Sequence, residues 1–136
     1  MESIYDFLVE HKDVAFASID KDGNPAVRVF QIMKIDSEAN KLYLATSTIK
    51  EVYRELKNNP NVEILGFQGN ISVRLRGRVA FDVSEEMSKI IYRDNPVLPR
   101  LYKSFTDLIY FSFSVLKADY FDLRSTPPTT EHYDLK

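Results

Sequence analysis

The sequence has no cysteine and no tryptophan, and its 136 residues include only four glycines and two histidines. Without cysteine there is no disulfide framework, no thiolate metal site and no cysteine nucleophile. His11 and His132 lie near opposite ends of the chain, and no His-x-x-x-His or Glu-x-x-His spacing occurs, so a histidine metal cluster is not expected. Each histidine reads as a surface or helix-end residue. The Gly-x-Gly-x-x-Gly and P-loop patterns are missing too, which removes the two familiar phosphate-cradling loops. Charge of one sign is also scarce: 18 Lys and Arg against 20 Asp and Glu leave a net charge of −2. That balance argues against a general nucleic-acid binder. The longest apolar stretch, Leu108 to Leu116, is broken by Ser112 and Ser114. It falls far short of the ~20 residues of a membrane span. Met1 to Asp6 carries no basic leader, so a cytoplasmic protein without membrane association is expected. The length suits one domain over residues 1–136.

Ile4, Phe7, Leu8 and His11 fall at helical spacing and predict a short opening helix. Val14 to Ile19 reads as a strand, and Lys21-Asp22-Gly23-Asn24-Pro25 as a hairpin turn. A second strand is predicted over Ala26 to Ile35 and a third over Leu42 to Ala45, with Ser37 to Asn40 turning between them. The period then changes. Ile49, Val52, Tyr53 and Leu56 form one face of an amphipathic helix, with Lys50, Glu51, Arg54, Glu55 and Lys57 on the other, and Asn58-Asn59-Pro60 stops it. Strands follow over Val62 to Phe67 and Ile71 to Val83, then a helix from Ser84, whose first turn is acidic. A second short helical piece lies between Asn95-Pro96 and Pro99. Two more strands, Leu108 to Val115 and Ala118 to Leu123, precede a polar tail with Pro127-Pro128. Six to seven strands joined mainly by tight turns predict a mainly β protein, a small antiparallel barrel with peripheral helices.

With so few groups suited to acid–base or metal chemistry, an enzyme of this sequence needs a cofactor, and without one the protein is a binding module. One segment does suggest chemistry. The third strand runs through Thr46-Ser47-Thr48 into the amphipathic helix, with Lys50 in its first turn. A helix start offers unpaired N–H groups and positive partial charge to an anion. Thr48-x-x-Glu51 also fits a capping box, which explains Thr48 but not Lys50, because a cation there opposes the helix dipole. On the second strand, alternation puts Arg28 on one face with Phe30 and Ile32, a place that calls for an anionic partner. Arg74, Arg76 and Arg78 share one face of a later strand and read as a solvated outer face or a charge-guarded edge.

These segments, Asp22 to Phe30, Lys41 to Thr46, and Lys50 to Leu56 with Asn59-Pro60, resemble in order and spacing the FMN-binding split-barrel family that includes pyridoxamine 5′-phosphate oxidase. The similarity is strongest to its short, nitroimidazole-resistance-type branch. The resemblance implies a homodimer with FMN in clefts at the subunit interface. It implies that Arg28 and Lys50 hold the FMN phosphate, with Thr46, Ser47 and Thr48 as hydroxyl or backbone donors. Val29, Phe30 and Gln31 would line the isoalloxazine ring, largely through main chain, and Ser72 matches a position that can reach it. The implied activity is oxidoreduction, from a reduced nicotinamide to a small acceptor. The alternative is a non-catalytic binder or sensor holding flavin, haem or deazaflavin on the same barrel. No catalytic side chain and no metal ligand is carried over. The oxidase pattern has a lysine where this chain has Met33, and a basic Arg-x-His tail where this chain has Arg124-Ser125-Thr126-Pro127, so vitamin B6 oxidation is not implied.

Overall fold

The hairpin that opens the sheet follows directly from its turn residues. In the computed structural model, which describes residues 1–135, β1 (Asp13–Ile19) and β2 (Pro25–Gln31) pair antiparallel from Asp13 opposite Gln31 to Ile19 opposite Pro25. Gly23 takes φ +84° in the turn, and the Asp20 carboxylate accepts the backbone N–H groups of Asp22 and Asn24, each at 2.9 Å. The chain reaches this hairpin from α1 (Glu2–Glu10), which buries Ile4, Phe7 and Leu8.

The single strand expected over Ala26 to Ile35 is two. After β2 the chain breaks at Ile32 and Met33 and resumes as β3 (Lys34–Asp36), which pairs with β4 (Lys41–Thr46). The Ile32 N–H donates to Lys12 and the Met33 N–H to Tyr43, so the break carries the chain from one sheet edge to the other. One apolar run thus serves both edges, which periodicity within the run does not show.

The remaining elements are α2 (Glu51–Asn58), β5 (Asn61–Gln68), β6 (Ile71–Ala80), α3 (Glu85–Asp94), α4 (Val97–Leu101), a 3-10 turn (Phe105–Asp107), β7 (Ile109–Asp122) and β8 (Thr129–Asp134). Strand order is β2-β1-β5-β6-β7-β4-β3, with β8 also on β7 and every pairing antiparallel. This is the curled, mainly β sheet expected of a split barrel. β7 is one strand of 14 residues rather than two. Its first half takes β4 and its second half β8 along the same side, and the register against β6 shifts at Arg76 and Gly77. The segment read as a polar tail forms β8, whose Thr-Thr-Glu-His-Tyr-Asp sequence lacks an apolar stripe because it pairs at an edge. Only Tyr133 of β8 packs against the main core.

The core fills the concave side with Phe16, Leu42, Leu44, Ile64, Leu75, Phe111 and Phe113, none of them exposed. A smaller cluster of Ile91, Leu98 and Tyr110 seats α3 and α4. Ser84 caps α3 as expected, its Oγ accepting the Met87 N–H. At Gly77, a Cβ would stand 2.0 Å from the Ser114 carbonyl oxygen and 2.7 Å from the Phe113 ring. Because backbone sits on one side, Gly77→Ala should cost about 1–3 kcal/mol or more, and thermal melts will show it as a lowered Tm.

Candidate functional site

β2 is an edge strand, so its side chains alternate between solvent and cleft without a neighbouring strand on one side. Val27 and Val29 point out, 67% and 75% exposed, while Phe30 turns in against Phe16 and Phe111 with ring centroids 4.3 and 5.9 Å away. Arg28 lies on the same inward side as Phe30, as alternation predicts. The anion it meets inside the protein is Glu55, on α2. Arg28 Nη1 donates to Glu55 Oε1 at 2.9 Å and to Ser18 Oγ at 3.1 Å, and Ser18 donates to the same Oε1 at 2.7 Å.

Periodicity predicts Glu55 on the polar side of α2, yet it is only 6% exposed. The reason is angular: positions 52, 55 and 56 fall within one helical arc, and Val52 and Leu56 are both buried. The inward-facing Arg28 is the sequence signal for a buried carboxylate here. Burial alone would push the Glu55 carboxyl up, but hydrogen bonds from Arg28 and Ser18, with the Arg28 charge, hold it below its usual 4.5. A native value below the unfolded one means that the unfolded chain binds the extra proton on acidification. The pair therefore stabilises the fold fully above about pH 4.5 and loses that contribution as pH falls through the lowered native value. Melts between about pH 3 and 7 should show Tm dropping below that point, and less steeply in Glu55→Gln.

The helix start also differs from the sequence reading. No capping box forms: α2 begins at Glu51 with Lys50 at the cap position and no side-chain cap. Ser47 to Lys50 folds as its own turn, the Lys50 N–H donating to the Ser47 carbonyl at 3.1 Å. Thr48 is therefore two residues outside the helix cap. Ile49, expected on the buried face, is 85% exposed for the same reason. The first N–H groups of α2 have no side-chain acceptor among the described residues.

Between β2, the end of β4 and the start of α2 lies a cavity of about 520 Å³. Arg28, Val29, Phe30, Gln31, Thr46 and Lys50 line it, so six of the eight expected site residues share one cleft. Ser47 and Thr48 are not on its wall. Ala45, Glu51 and Val52 are, and sequence reasoning missed them as it missed Glu55. Two nitrogens of Arg28, Nε and Nη2, make no hydrogen bond among the described residues, and Lys50 makes no ion pair there. The cleft thus holds uncommitted cationic donors beside an exposed strand edge, at a volume usual for small-molecule sites.

Other candidates are answered elsewhere. Arg74 pairs with Asp119 at 3.0 Å and Arg76 with Glu63 at 3.4 Å, both more than half exposed, on an interior strand rather than an edge. That is the solvated outer face. Ser72 sits on the wall of a different pocket, with Phe121 and Arg74. His132 bonds Asp119 at 2.6 Å and His11 packs on Phe7, and neither lines the cleft. No group of three or more His, Cys, Asp or Glu side chains suited to a metal occurs among the described residues. No described helix is long and apolar enough to cross a membrane.

Fold and cleft together define an antiparallel split barrel with a cationic pocket at its edge strand. Residues 1–97 match the family model described as pyridoxamine 5′-phosphate oxidase, and the chain belongs to that family. A pyridoxamine 5′-phosphate oxidase-related, FMN-binding protein of Nostoc punctiforme superposes with TM-score 0.83 at 15% identity, over 99% of this chain and 90% of that one. A NimC/NimA family protein of Clostridium acetobutylicum gives TM-score 0.78 at 25% identity, over 99% and 92%. A heme-binding protein of Mycobacterium smegmatis shares the fold at TM-score 0.72 and 13% identity, over 94% of this chain and 55% of that one. Comparison with curated protein sequences finds no match.

Proposed function

We propose that the chain binds FMN in the cleft between β2, β4 and α2 and acts as a flavin-dependent oxidoreductase. The observation that carries this reading is the convergence of Arg28 and Lys50, from separate elements, on one cavity wall that also includes the edge of β2. The donor set suits the cofactor. Two free nitrogens of Arg28 and the Lys50 ammonium match a phosphate monoester. The uncapped N–H groups of α2 add a favourable dipole. The open edge of β2 at Val29, Phe30 and Gln31 offers main-chain donors and acceptors to a flat ring, and Thr46 lines the same cleft.

The chemistry supplied by bound flavin is hydride acceptance from a reduced nicotinamide and electron delivery to a small acceptor such as a quinone or nitro compound. The protein groups orient and polarise the ring. No side chain in the cleft is assigned as acid or base. Glu55 is held ionised by Arg28 and Ser18, which leaves it no proton to donate near neutral pH.

A second copy of the chain belongs to this reading. Register aligns Val29, Ala15 and Leu65 across β2, β1 and β5, with Val27 opposite Ala17. Val27, Val29, Leu65 and Phe67 stand 67%, 75%, 41% and 68% exposed on that outer face. This apolar patch, bordered on the same outer face by Glu63, Arg74 and Arg76, fits burial by an identical patch in a homodimer. The haem alternative gains nothing from the histidines, which lie away from the cleft.

The test is a visible spectrum and light scattering of the purified protein. A yellow dimer with about one flavin per subunit, or a colourless one that takes up added FMN, supports the reading. A protein that refuses FMN overturns it. Oxidation of a reduced nicotinamide by the loaded protein then separates an oxidoreductase from a storage or sensor protein.

A further inference from the structure

The Arg28 guanidinium is fixed through one of its three nitrogens. Nη1 meets Glu55 Oε1 and Ser18 Oγ, while Nε and Nη2 have no partner among the described residues. The two acceptors come from different elements, Ser18 on β1 and Glu55 on α2, and are 1% and 6% exposed. Ser18 also donates to Glu55 Oε1, so the three groups close a ring of hydrogen bonds. Arg28 itself is one-third exposed on an edge strand, between two exposed valines. A long side chain there would otherwise sample many rotamers, and ordering it when a ligand arrives would cost affinity. Here that ordering is done when α2 packs on β1.

We propose that Glu55, assisted by Ser18, is a positioning residue for the anion site, holding Arg28 by Nη1 so that Nε and Nη2 face the phosphate. This rests on the flavin reading above. A rival effect runs the other way, since the Glu55 charge also repels a phosphate. Glu55→Gln separates the two: the bonds from Arg28 and Ser18 both go to Oε1, which glutamine keeps, while the charge is lost.

The experiment titrates FMN and phosphate-free riboflavin into wild type, Glu55→Ala, Glu55→Gln, Ser18→Ala, Arg28→Ala and the Arg28→Ala/Glu55→Ala double variant. The readout is the ratio of FMN to riboflavin affinity, which general loosening of the fold would not move selectively. Glu55→Ala should lower the ratio about tenfold and Ser18→Ala about threefold, with Glu55→Gln at or above wild type. The double variant should be no worse than Arg28→Ala alone. If Arg28→Ala lowers the ratio but Glu55→Ala does not, or Glu55→Gln falls as far as Glu55→Ala, the positioning role is overturned and the flavin reading stands. If wild type binds no flavin, both fail; if wild type binds FMN but Arg28→Ala leaves the ratio unchanged, the positioning role is overturned and the phosphate docks elsewhere. Should Glu55→Ala not fold, Ser18→Ala decides by the same ratio.

Discussion

Replacing Arg28 and Lys50 together by alanine should lower FMN affinity by about 10²–10⁴-fold while leaving riboflavin affinity within a few fold, since each charged hydrogen bond is worth roughly 1.5–3 kcal/mol. The two side chains will not contribute alike. Lys50 is exposed and without an ion-pair partner among the described residues, so Lys50→Ala removes one ligand contact and leaves nothing stranded. Its effect should shrink as salt is raised, because an exposed ammonium is screened. Arg28→Ala also strands the buried Glu55 carboxylate, so that variant should melt lower as well as bind more weakly. Fluorescence titration and a thermal melt of each variant resolve these contributions. Unchanged FMN affinity in the double variant would show that the phosphate docks elsewhere.

Phe111→Ala should cost about 3–5 kcal/mol, a large share of the roughly 5–15 kcal/mol available to a domain of this kind. Phe111 is fully buried, and its ring centroid lies 6.1 Å from Phe16, 5.9 Å from Phe30 and 5.5 Å from Phe81. It also faces Leu44 across the β4–β7 pairing. β1, β2, β4 and the segment just after β6 would each lose a contact, and little can collapse inward because these neighbours sit on separate segments. Phe30 lines the cleft and rests on Phe111, so flavin affinity should fall with stability. Ile49→Ala is the contrast: at 85% exposure it should change stability by less than about 0.5 kcal/mol. Denaturant midpoints for the two variants will separate a core position from an exposed one that shares its hydrophobic character.

Local rules were enough for a good part of this protein. Turn residues between Asp20 and Pro25 made the first hairpin, Ser84 with Glu85 and Glu86 started α3, and strict alternation in β2 put Arg28 and Phe30 on the inner side. Each depends on neighbours a few residues apart, where propensity and periodicity act. Absent residue types acted just as directly, because chemistry that needs cysteine cannot be supplied by packing.

What depended on partners distant in the chain left little local trace beyond an inward-facing Arg28 in need of an anion. The break at Ile32 and Met33 exists because β3 finds β4 across the sheet, and β8 exists because the second half of β7 offers it an edge. Thr48 and Glu51 have the right spacing for a cap, yet Thr48 lies in the turn from Ser47 to Lys50 and α2 begins only at Glu51. Glu55 looked like a solvated charge until α2 was laid on β1. The sequence by itself determined the first hairpin, the start of α3 and which residues of β2 face inward. Tertiary structure alone decided which carboxylate holds Arg28, because a buried ion pair forms only when two distant segments exclude water together.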